Sequence, residues 1–171
     1  VYKRQGKDAL MSNDTGVQNT ATGTHSLRAS TTGHRNTASG FYSLYSNTTG
    51  NNNSASGYKA LFSITTGGQA TAFGSYALCA ATAGGNSAFG YQSLRNTTSG
   101  SYNTASGYKS AYANTTGKCN SVLGYEALCC NTTGCNNTAF GKSALKLSTT
   151  ASYNTAVGSC TLFANTTGAN N

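Results

Sequence analysis

Apolar and polar positions recur along the chain with a fixed phase. An alanine stands two residues before a glycine in Ala21, Ala38, Ala55, Ala72, Ala88, Ala105, Ala139 and Ala156, with Val122 taking the place once. A leucine stands four residues after that glycine in Leu27, Leu44, Leu61, Leu78, Leu94, Leu128, Leu145 and Leu162, with Ala111 as the exception. The glycines are Gly23, Gly40, Gly57, Gly74, Gly90, Gly107, Gly124, Gly141 and Gly158, spaced by 17 residues except for 16 between Gly74 and Gly90. A second glycine follows ten residues later in nearly every copy, as in Gly50, Gly117 and Gly134, and Ala151 replaces it once. The consensus is N-T-A-x-G-Y-x-A-L-x-x-N-T-T-G-x-x, repeated about ten times over essentially the whole chain.

A unit of this length is too short for two helices and a turn, which need roughly 33 residues or more. A single helix per unit fails too, because Gly, Asn, Thr and Ser are poor in helix interiors. Short extended pieces separated by Gly and Asn turns fit the composition. The pattern therefore predicts an all-β fold, a β-solenoid of the β-helix or β-roll kind with one ~17-residue repeat per coil and about ten coils. Residues 1–18 form a degenerate first coil, and 19–171 hold nine tandem repeats of a single solenoid. Coils ~4.8 Å apart give a rod ~48 Å long.

Each column then has a physical task. The alanines (Ala38, Ala55, Ala72, Ala88, Ala105) and leucines (Leu44, Leu61, Leu78, Leu94, Leu128, Leu145) are expected to form the core ladders of a thin interior. The glycines from Gly40 to Gly158 are expected at corners that need positive φ or close backbone approach. Asn103, Asn120, Asn137 and Asn154 are placed to bond to the same residue one coil away, as Asn ladders do in stacked sheets. The aromatic column Phe41, Tyr58, Tyr91, Tyr108 and Tyr125 fits either an inward or an outward row.

Composition supports order. Only 8% of the 171 residues are charged, and there is no proline to interrupt a backbone ladder. Disordered chains of such polarity lack aromatics, whereas this one has 11 Tyr and 6 Phe at regular places. No run approaches the ~20 apolar residues of a membrane span, so no membrane insertion is expected.

Catalytic chemistry is nearly absent. The acids are Asp8, Asp14 and Glu126, the histidines His25 and His34, and none shares a column with a plausible partner. No enzyme, cofactor or metal is expected; calcium-binding solenoids carry Asp in every copy, and a zinc site from Cys119, Cys129, Cys130 and Cys135 matches no finger or ribbon spacing. The net charge is +8. A nucleic-acid binder gathers its cations on one stripe, but Lys59 and Lys109 stand in one column and Arg28, Arg95 and Lys146 in another, so no nucleic-acid partner is expected. Solubility and contact with acidic cell-surface sugars are the milder readings of the charge. Cys119 and Cys135 lie 16 residues apart, about one coil, and form the candidate disulfide; a disulfide would imply an oxidising, external setting. Asn-Thr-Thr triplets such as Asn114-Thr115-Thr116 read as turn chemistry ahead of glycosylation acceptors.

The phrases Asn86-Ser87-Ala88-Phe89-Gly90, Asn137-Thr138-Ala139-Phe140-Gly141 and Asn154-Thr155-Ala156-Val157-Gly158 resemble repeats of phage and virus tail-fibre proteins, including those that end in an endosialidase-type chaperone domain. They are more loosely similar to the head repeats of trimeric autotransporter adhesins. The resemblance implies an extracellular fibre on a cell or virion surface, often trimeric. The expected function is thus a structural shaft whose partners are copies of itself, stacked head to tail or as a trimer, with cell-surface glycans as the external partner. The alternatives are a carbohydrate- or surface-binding adhesin module and an ice-binding solenoid, for which the column Thr31, Thr48, Thr65 to Thr166 is the relevant feature.

Overall fold

The computed structural model describes residues 3–171. Ten three-residue strands form one parallel sheet in sequential order, β1 (Lys3–Gln5), β2 (Thr20–Thr22), β3 (Thr37–Ser39), β4 (Ser54–Ser56), β5 (Thr71–Phe73), β6 (Ser87–Phe89), β7 (Thr104–Ser106), β8 (Ser121–Leu123), β9 (Thr138–Phe140) and β10 (Thr155–Val157). Each strand pairs in register with the next repeat, Ala38 on Ala55 and Ala105 on Val122. The shortened repeat is absorbed in its linker, so Thr71 still faces Ser87 and Ala72 faces Ala88. The predicted all-β solenoid with one repeat per coil is the fold observed.

Why the strand is so short follows from the sequence around it. Its middle residue is small and buried in β2 to β10, while the flanking Thr, Ser or Phe point outward. The glycine that follows holds φ between 119° and 139° from Gly23 to Gly158, a region few other residues enter, and the chain turns away. Two β-turns come next. In the second repeat, Ser26 donates its N–H to Gly23 at 3.2 Å and Ser30 donates to Leu27 at 3.4 Å. Other amides of these turns bond to neighbouring coils, Leu27 to Ser43 at 2.9 Å and Ala29 to Tyr45 at 3.1 Å. The turns thereby act as further rungs of the stack.

The backbone carries a conformation that the residue types do not announce. Leu27, Leu44, Leu61, Leu78, Leu94, Leu128 and Leu145 all have φ near +50°. So does the residue two before each leucine, as in Lys59 and Glu126, and the residue preceding the Asn column, as in Arg35 and Asn136. For L-residues the left-handed region costs about 1–2 kcal/mol each. The stacked hydrogen bonds on both sides over-determine it.

The interior is thin and mixed. The alanine and leucine ladders are buried through the stack, with Leu162 of the last coil only partly so. Alongside them runs a buried asparagine ladder from Asn19 to Asn154, interrupted by Ala70. A further column alternates Asn47, Ile64, Ala81, Thr97, Asn114, Asn131 and Ser148. Its asparagines close a local turn, Asn114 donating Nδ2 to the Gly117 carbonyl at 3.1 Å.

The Thr-Thr-Gly segment makes the third side. In four coils, at 14–16, 31–33, 48–50 and 115–117, three successive amides converge on one carbonyl of the next coil. Thr115, Thr116 and Gly117 all donate to the Thr132 oxygen, at 2.8, 3.1 and 3.4 Å. Such a nest of amides is an oxyanion-like cradle, here filled by backbone. The Gly117 position tolerates no side chain, because a Cβ would run into the Asn114 side chain and the Gly134 carbonyl.

Candidate functional site: a cation–tyrosine face

The two β-turns after the glycine corner place three outward columns side by side. The first holds Phe41, Tyr58, Tyr91, Tyr108 and Tyr125, and it faces solvent. This answers the orientation that the sequence left open. The second holds His25, Tyr42, Lys59, Tyr76, Gln92, Lys109 and Glu126, half-buried or nearly so because the left-handed backbone lays each side chain along the surface. The third holds Arg28, Tyr45, Phe62, Arg95, Tyr112, Lys146 and Phe163 at the corner of the second turn.

Stacking one coil on the next brings like rings together. Tyr91, Tyr108 and Tyr125 form a stacked ladder with centroids 5.5 and 5.1 Å apart. Phe41 stacks on Tyr58 at 5.9 Å and Tyr45 on Phe62 at 5.2 Å. Cations lie over these rings. Lys59 Nζ is 5.5 Å from the Tyr58 centroid and 5.4 Å from that of Phe62. Arg95 lies 5.0 Å from Tyr76 and 5.9 Å from Tyr112, and its Nη1 donates to the Tyr112 hydroxyl at 3.2 Å. Arg28 repeats that arrangement on Tyr45, with a 2.9 Å hydrogen bond. Lys109 lies over Tyr108 and Tyr112. Its hydrogen bond with Tyr108 raises its pKa above the ordinary lysine value.

The basic columns that look separate in the sequence are therefore one stripe. Lys59 and Lys109 stand beside Arg28, Arg95 and Lys146, because only two tight turns separate the columns. Acidic charge on the stripe is limited to Asp8, 3.4 Å from His25, and Glu126, 2.7 Å from Lys146. The glutamate raises the Lys146 pKa through that hydrogen bond. The outward positions of strands β2 to β10 carry no charged residue at all.

Other sequence-derived candidates fall elsewhere. Cys119 and Cys135 are free, as are the other four cysteines, so the expected disulfide is not formed. The reason is register: a coil here is 17 residues, so Cys135 stacks on Lys118, whose amide lies 3.3 Å from its Sγ. Cys119 shares a column with Asn136 instead, and the two thiols are offset by one residue. Among the described residues, no group of His, Cys, Asp or Glu is arranged to hold a metal ion. In the threonine column considered for ice, most hydroxyls donate to a carbonyl of the next coil. Thr115 Oγ1 donates to the Thr132 carbonyl at 2.9 Å and Thr132 Oγ1 to Thr149 at 3.1 Å. Among the described residues, no helix is long and apolar enough to cross a membrane.

No protein-family model matches the chain, and no match to it is found among curated proteins or solved structures.

Proposed function

We propose that the chain is a shaft segment of an extracellular fibre, of the kind that tail-fibre repeats build on a cell or virion surface, with a mechanical and non-enzymatic role. The observation that carries this reading is the complementarity of the first and last described coils. Most internal coils are bound to the next by amides of the Thr-Thr-Gly segment that converge on one carbonyl, and by the asparagine ladder, which is broken at Ala70. The last coil presents the same amides at Thr166, Thr167 and Gly168. The first presents the carbonyl of Asp14, which occupies the acceptor's place in the threonine column. A second copy stacked head to tail joins these groups in the register already used between coils. Lateral or trimeric association would draw on the exposed strand residues Phe73, Phe89, Leu123, Phe140 and Val157.

Electron micrographs of negatively stained protein at rising concentration test the proposal. Rods of one solenoid's width that lengthen into filaments are expected. Compact particles at every concentration overturn it.

A further inference from the structure

We propose that the cation–tyrosine face binds a linear acidic polysaccharide of the carboxylate-bearing, uronate type, lying along the rod axis. This rests on the face itself and holds whether or not the rods assemble.

The ligand is a polymer because the face is a ribbon. Hollows of the surface lie elsewhere, one on the linker side between Val17 and Asn52 and one over β1 and β2. The charge spacing then selects among polymers. Arg28, Lys59 and Arg95 occupy alternate coils, about 10 Å apart along the axis, and Lys109 follows Arg95 by one coil. Duplex nucleic acid carries one charge per ~1.7 Å, far denser than this row. A polysaccharide with one carboxylate every sugar or two matches it better.

Ring orientation gives the second argument. Single-stranded nucleic acid is held by bases stacking on free aromatic faces. Here the faces are taken. Tyr108 is sandwiched between Tyr91 and Tyr125, and Tyr58 has Phe41 stacked on it and Lys59 over it. What remains on the surface is ring edges, tyrosine hydroxyls and cation heads held in place by rings. Hydroxyls and carboxylates of a glycan are the groups that such a surface hydrogen-bonds. The stripe's Glu126 is already compensated by Lys146.

The test measures binding of the purified chain to polygalacturonate, dextran, poly(dT) and phosphatidylserine vesicles at one ionic strength. It compares the wild type with Lys59→Asn/Arg95→Gln/Lys109→Asn and with the equally charged control Lys3→Gln/Arg35→Asn/Lys118→Gln. Asparagine is chosen at 59, 109 and 35 because it tolerates the positive φ found there. Binding of polygalacturonate but not dextran is expected, with a loss of about tenfold or more in the face variant and little change in the control. A second readout needs no variant: bound polygalacturonate should shield Lys59 and Lys109 from acetylation while Lys118 still reacts. Equal losses in the two variants, unshielded lysines, or tighter binding of poly(dT) or vesicles would overturn the proposal. Filament formation, scored separately in micrographs, is unaffected by any of these results.

Discussion

Asn137 donates both its backbone N–H and its side-chain amide to the Oδ1 of Asn120, at 3.0 and 3.1 Å. Asn120 in turn donates its own amide to the Gly134 carbonyl at 2.9 Å. One buried side chain thus satisfies two donors and one acceptor of the coil above.

Asn120→Ala removes these three bonds and the Nδ2 bond to Asn103 Oδ1 at 3.0 Å, and leaves their partners buried. An unsatisfied buried group costs ~1–3 kcal/mol. The variant should lose about 2–4 kcal/mol in urea unfolding, well beyond the effect of an exposed change such as Ser121→Ala.

The second asparagine column contains a natural defect. Asn131 donates to Asn114 Oδ1 at 2.9 Å, but the next coil has Ser148, and both Asn131 Oδ1 and Ser148 Oγ are buried without a partner. Ser148→Asn should restore the ladder and raise stability by about 1 kcal/mol, seen as a higher thermal midpoint. A lower midpoint would show that the site lacks room for the amide.

Gly124 holds φ at 139°, and a Cβ there would be driven into the Gly141 carbonyl. Gly124→Ala should cost at least about 3 kcal/mol, since both the dihedral and the inter-coil contact must yield. Far-ultraviolet circular dichroism against urea measures it. A loss below about 1 kcal/mol would show that the corner is more pliable than its contacts indicate.

Half-burial, with help from Cys130 and Glu126, pushes the Cys129 thiol from its ordinary 9.0 to about 11. Between these values the unfolded chain releases the proton and the folded chain keeps it. The folded state binds more protons there, so stability falls as pH rises through that window. Cys129→Ser should flatten this part of the pH–stability curve relative to the wild type. Parallel curves would contradict the shift.

Much of this molecule is legible in its sequence because its ladders need particular side chains. A stacked buried amide has to be Asn120 or its like, and a corner at Gly124 has to be glycine, so period and register show in the letters. The left-handed backbone at Leu128 and Glu126 is not legible, because the stack imposes it on residues that do not favour it. The face is half legible. The columns of Lys59 and Arg95 can be counted, but their adjacency depends on two turns closing between them. Cys119 and Cys135 show the cost of a one-residue error, since a 16-residue spacing misses a 17-residue coil.

The central claim is that one repeat is one interchangeable coil, and a deletion tests it most directly. Thr104 and Ser121 are in-register partners, so excising residues 104–120 joins Asn103 to Ser121 and lets β8 dock where β7 stood. Stability in such stacks is a sum over neighbouring units. The shortened chain should fold with the same circular dichroism shape and unfold cooperatively, slightly less stable than the parent, whereas excision of 104–112 alone should abolish the transition. If the full-period deletion unfolds as completely as the partial one, the coil-by-coil account is wrong.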